Sequence, residues 1–185
     1  MATADNLERY QQILERASSK EELYQAIVNV PFDNPLVAAQ LFLGIVVLLL
    51  VNPKTKMIDR IALSDTHLAK GTVKVSVKRF EDIKIPVDYP DNLIAEAVRT
   101  NQAQVTTDWQ YLFAPALTPQ EARFNQAAGG IGYSAIYPFK AKRAQGALIY
   151  SYFQYPENIS RKQQSFMEHY TQLVREQWNR IERKS

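Results

Sequence analysis

Cysteine is absent from the 185 residues of this chain. That removes disulfide bridges, thiolate nucleophiles, cysteine-bound zinc and thioether-linked cofactors from consideration. Histidine is scarce, with only His67 and His169, and neither has the supporting ligands of a dedicated transition-metal site. "SDTH" sets Ser64, Asp65 and His67 close in sequence, but a catalytic triad needs groups that converge in space. With no nucleophile–base pair, metal cluster or carboxylate pair at supporting spacing, neither a catalytic nor a metal-binding residue is assigned. Net charge is only +3, too little to point to nucleic acid. Lys70, Lys74, Lys78, Arg79, Lys140, Lys142 and Arg143 would form a basic patch if their strands were neighbours. Glu81 and Asp82 interrupt it, so a solvated face is expected and no nucleic-acid partner. The start, "MATADNLERYQQ", lacks the basic and apolar regions of a signal peptide, and a cytoplasmic location is expected.

A long apolar run is also missing. "LVAAQLFLGIVVLLLVN", Leu36 to Asn52, is the nearest approach. A membrane-spanning helix takes about 20 apolar residues. This stretch is shorter and carries Gln40 and Gly44, so no transmembrane segment is expected. Its first half reads as a helix, with Asn34 as N-cap, Pro35 in the first turn and Gly44 at the exit. Its second half, "IVVLLLV", is β-branched and ends in the turn "NPKTK", which describes a central strand covered on both faces.

What is present suits one domain over 1–185: 46% hydrophobic and 22% charged residues. Helical spacing runs from Leu7 to Ala17, and Ser19 with Glu22 opens a second helix. "KMIDRIALS" returns as the hairpin partner of the central strand. "TVKVSVKRF" alternates Val73, Val75 and Val77 against Lys74, Ser76 and Lys78, which predicts a half-exposed strand. A helix over "DNLIAEAVRTNQ", a short strand "QVTTDW" and an irregular aromatic segment "DWQYLFAPAL" follow. "TPQEARFNQAAGG" is a helix with Thr118, Pro119 and Glu121 at its start and Gly129–Gly130 at its stop. "AAGGIGYS" is glycine-rich, and its backbone amides could receive a phosphate or carboxylate; because it follows that helix, a stop and tight turn is the expected reading. "IGYSAIYPF" and "GALIYSYFQ" form a last hairpin, and a long helix opened by Ser160 with Gln163 closes the chain. Antiparallel strands between terminal helices imply an α+β layer fold.

The motif order resembles that of GAF domains. Their "aeavrtg" helix, short strand and aspartate correspond to "LIAEAVRTNQAQVTTDW". Their "GirSvlavPl" and "GvL.l" strands correspond to "GIGYSAIYPF" and "GALIYSYFQ", and "ENISRKQQSFMEHYTQLVREQWNRI" fills the place of the closing helix. The resemblance runs from about Glu21 to the C-terminus. It implies a central antiparallel sheet of five to six strands. The N-terminal helix (1–20) and C-terminal helix (157–185) would lie on one face, with loops and short helices over the other. It also implies a small-molecule pocket and dimerisation through the terminal helices. Without cysteine, neither covalent bilin attachment nor the thiol chemistry of GAF-type methionine sulfoxide reductases is available, so no enzyme is expected. The "NK…F…DE" pattern of cyclic-nucleotide binders is poorly matched by Asn52–Lys54 and Phe80–Asp82, and the cofactor stays unassigned.

The aromatic-rich stretch supplies the pocket candidates: Asp108, Trp109, Tyr111, Phe113, Phe124, Tyr133, Ser134 and Tyr150, for stacking and hydrogen bonding. These rings could equally be a closed core. Tyr170, Val174, Trp178 and Ile181 are the candidate interface of a homodimer or of a separate protein partner; the same stripe could instead cover the domain's own sheet. The expected function is that of a stand-alone regulatory sensor with a non-covalent small-molecule ligand. The alternative is a ligand-less adaptor or assembly factor acting through protein–protein interaction.

Overall fold

The computed structural model describes residues 4–153 and 159–184. Of the spans expected for the terminal helices, residues 1–3, 157–158 and 185 lie outside the described residues. The order is α1 (Ala4–Glu15), α2 (Lys20–Asn29), α3 (Pro35–Leu41), β1 (Leu43–Asn52), β2 (Met57–Leu63) and α4 (His67–Val75). Then come β3 (Ile85–Pro86), α5 (Leu93–Thr100), β4 (Gln104–Thr106), α6 (Gln110–Phe113), α7 (Pro119–Ala128), β5 (Tyr133–Lys140), β6 (Gln145–Tyr152) and α8 (Arg161–Lys184). The strands form one antiparallel sheet in the order β3-β2-β1-β6-β5-β4. This is the α+β architecture that the sequence implies.

The long apolar run is a helix and then the strand β1, which lies between β2 and β6. Strand alternation divides its side chains between two cores. Val46 and Leu48 join Tyr10, Leu14, Leu23, Ile27 and the apolar stripe of α8. Ile45, Val47 and Leu49 join residues of α4, α5, α7 and the segment Trp109–Leu117. The sheet is therefore covered on both faces, by α1, α2 and α8 on one side and by α4 to α7 on the other. No helix among the described residues is long and apolar enough to cross a membrane.

The caps form largely as the sequence predicts. Asn34 accepts from Leu36 N–H, Thr118 and Glu121 make a reciprocal capping box, and so do Ser160 and Gln163. Ser19 caps α2, and Glu22 reaches back chiefly to the backbone N–H and hydroxyl of Ser18.

Two expectations fail. Gly44 does not end α3: Phe42 takes the left-handed turn, with φ 56°. Gly44 lies within β1, where a Cβ would stand 2.8 Å from Leu68 Cδ1 of α4; its missing side chain gives α4 room to approach. The predicted strand from Thr72 to Phe80 does not exist either, because its first residues complete α4. Thr66 accepts from Ala69 N–H and donates to the Gly44 carbonyl at 2.8 Å, and Ala69 is fully buried. One capped and anchored turn outweighs the weak strand preference of three valines.

Candidate functional site

The cavity lies on the α4–α7 side of the sheet. Its floor is Ile45 and Val47 of β1 with Ile149 and Ser151 of β6. Its walls are Ala69, Thr72 and Val73 of α4, the segment from Ser76 to Ile83, Trp109 with α6, and Asn125 of α7. The void measures about 40 Å³, room for about three water molecules and far below the several hundred Å³ typical of drug-sized ligand sites. Its lining is mainly apolar, with polar side chains from Thr72, Ser76, Asn125 and Ser151, an exposed Lys78, and one buried charge as the exception.

That exception is Arg60 of β2. It is 8% exposed, and its Nε and Nη2 are buried without a hydrogen-bond partner. Its guanidinium carbon lies 4.4 Å from the Phe113 ring centre and 5.7 Å from that of Phe80, so aromatic faces give it partial compensation. Burial draws its pKa down to about 10, which still leaves the charge in place at neutral pH. A register shift between Leu48 and Leu49 accounts for its direction. Leu48 faces Ala62, Leu49 faces Arg60, and Ile61 is the extra residue. The bulge puts Arg60 on the cavity side with Leu49 and sends Ala62 to the opposite core.

Trp109 is buried and lines the cavity. Its indole N–H donates to Ser134 Oγ at 2.9 Å, and that oxygen lies 2.6 Å from Ser151 Oγ. Phe113 also lines the cavity and packs against Trp109, with ring centres 5.2 Å apart. Asp108 stands behind this wall. Burial opposes its charge, but hydrogen bonds from Arg123 and the Gln110 backbone N–H win, holding its carboxyl below the usual range. The Gln126 side chain completes the frame, bonding Trp109 N–H and the carbonyls of Thr107 and Ile131.

The other predicted pocket residues do not line this cavity. Tyr111 and Phe124 are 45% and 60% exposed. Tyr133 and Tyr150 face the helical layer: Tyr133 stacks on Tyr152 at 4.7 Å, and Tyr150 bonds Thr171 of α8 at 2.8 Å. Tyr133 adjoins Ser134 on one strand, so alternation puts the two on opposite faces. The predicted interface residues are likewise internal. Tyr170, Val174, Trp178 and Ile181 are buried, and Trp178 stacks on Tyr24 of α2 at 5.3 Å. The basic residues do not gather on one face. Lys70 and Lys74 stand on α4, while the backbones of Lys142 and Arg143 are held by Asn179 and Glu182 of α8. Sequence reading missed Arg60. The available signal was its place between Ile58 and Ala62, an arginine in the buried phase of an alternating strand.

No family model matches the chain, and neither does any curated protein. Solved structures do share the fold. A GAF sensor protein from Burkholderia vietnamiensis aligns with a TM-score of 0.62 at 12% identity, covering 98% of this chain and 91% of that one. The phycoerythrobilin-bound GAF domain of a cyanobacterial phytochrome gives 0.61 at 13%, covering 97% and 96%. Free methionine-R-sulfoxide reductase from Neisseria meningitidis gives 0.61 at 8%, covering 97% and 89%. The fold is thus GAF-like, an architecture that serves sensors and also an enzyme.

Proposed function

We propose that this GAF-like domain is a non-enzymatic regulatory sensor that binds a small molecule non-covalently and passes its occupancy to a separate protein. The observation that carries the reading is Arg60, a charged side chain buried without hydrogen-bond partners beside an unfilled space. Leaving such a group unpaired costs stability, and a bound ligand would relieve that cost. Trp109 and Phe113 form the aromatic wall; Ser134 and Asp108 hold it in place. The relay runs through the sheet. Ile149 and Ser151 meet the cavity, while Tyr150, between them, meets α8. Occupancy then biases the position of α8 by a shift in population. A cytoplasmic location and a homodimer belong to the same reading.

Native mass spectrometry of the protein purified from cells, with thermal unfolding across a metabolite library, tests it. Added small-molecule mass, or a ligand-dependent rise in melting temperature, is expected. A bare chain mass together with no stabilisation by any compound overturns the reading. The same spectrum reports the oligomeric state. One observation favours the adaptor reading: Phe42 and Phe153 form an edge-to-face pair at 5.8 Å with both rings 37–40% exposed. A partner captured by wild type and lost in Phe42→Ser, with no ligand found, would decide for the adaptor.

A further inference from the structure

Nε–H and Nη2–H lie along one edge of a guanidinium and point the same way, a spacing that matches the two oxygens of a carboxylate. In Arg60 these are the two buried atoms without a partner. The same chain shows what that edge engages elsewhere. Arg79 Nε donates to Asp82 Oδ2 at 2.8 Å and Arg79 Nη2 to Asp82 Oδ1 at 3.1 Å. Arg60 has the same fork and belongs to the lining of the cavity, and among the described residues no carboxylate bonds to it.

We infer that Arg60 anchors a short monocarboxylate, whose carboxylate bridges Nε and Nη2 and whose apolar tail rests on Ile45, Val47 and Ile149. The inference rests on reading the cavity as a ligand site. Three observations set the class. Arg60 is the only buried cation in the lining, so it neutralises one negative charge; a dianion such as phosphate would bury an uncompensated charge. The remaining floor offers aliphatic surface, with Ser151 Oγ already engaged by Ser134. The volume admits about three to five heavy atoms, scaled from its capacity for water. Exposed Lys78 and partly exposed Val73 belong to the same lining, so an entering anion passes a second, solvated cation at the rim.

The chain supplies its own spectroscopic control, since it has two tryptophans, one in each layer. Trp109 lines the cavity, and Trp178 lies in the opposite core. Titration with sodium propionate, followed by the two indole N–H resonances, should move Trp109 and leave Trp178 in place. Propionamide, the uncharged counterpart, should move neither, and sodium phosphate and sodium chloride at matched ionic strength should leave Trp109 unshifted. Arg60→Lys keeps the charge but loses the fork and should weaken propionate binding roughly tenfold or more. Arg60→Met should abolish the shift while melting at a higher temperature than unliganded wild type, because an unpaired buried charge has been replaced by an apolar chain of similar length. If propionamide binds as well as propionate, the cavity is a ligand site but the carboxylate assignment is wrong. A response to phosphate without one to propionate overturns the class. If no probe moves Trp109, the inference fails, and the sensor reading is then judged separately by the native mass and library data.

Discussion

The indole of Trp109, with Ser134 and Ser151, forms a short hydrogen-bonded chain inside an apolar layer. Ser134→Ala would leave the indole N–H unpaired and buried, which costs about 1–3 kcal/mol; a lowered denaturant midpoint at unchanged slope would record it. Four phenols define the alkaline limit. Burial raises the pKa values of Tyr133, Tyr150, Tyr152 and Tyr170 above the ordinary 10.0. Groups raised in the folded state give stability that is complete below pH 10 and is lost as pH rises through their folded values. Arg60 acts oppositely: its pKa is lowered, so its penalty is complete below about pH 10 and fades above it. Four phenols outweigh one guanidinium. Melting temperature should therefore hold to about pH 9.5 as far as these groups decide it, then fall, with the tyrosinate absorbance of these four phenols appearing only on unfolding. At this scale the sequence was partly legible. Trp109, Phe113 and Asp108 could be found from the aromatic cluster, and Ser134 with them. Tyr133 could not share their face, since successive strand residues oppose each other. Arg60 stayed hidden because arginine is ordinarily a surface residue.

Among elements, α8 carries the largest correction. Its apolar stripe was legible from spacing; what it covers was not, because a helix stripe is equally suited to its own sheet or to a partner. The buried residues choose the sheet, and the outward positions are polar or charged, among them Gln164, Glu168, Gln172, Arg175 and Glu176. Trp178→Ala should thus cost about 3–5 kcal/mol of folding stability, read by chemical denaturation, and leave the solution mass of folded protein unchanged. A dissociated but equally stable protein would restore the interface assignment. The case of α4 is the reverse: its valines suggested a strand, and Thr66 decided for a helix. Thr66→Ala removes the cap and the bond to Gly44 together and should cost about 1–2 kcal/mol, with faster amide exchange confined to α4 as the local sign.

Seen whole, the protein is a sheet used as a partition. Each central strand presents alternate residues to two cores, so the cavity and the terminal helices are separated by the thickness of one backbone. That plan was legible in the unbroken apolar run of β1, which only a strand covered on both faces requires. The void itself was not, since packing defects arise from how elements meet. A further consequence follows from the ends of the sheet. Its outermost strands are Gln104–Thr106 and Ile85–Pro86, three and two residues long, and the shorter ends in a proline without an N–H to offer. A foreign strand arriving at β3 or β4 finds only two or three residues of backbone to copy. Strand addition onto these two short edge strands is therefore disfavoured, a safeguard at the margins of a sheet with so apolar a centre.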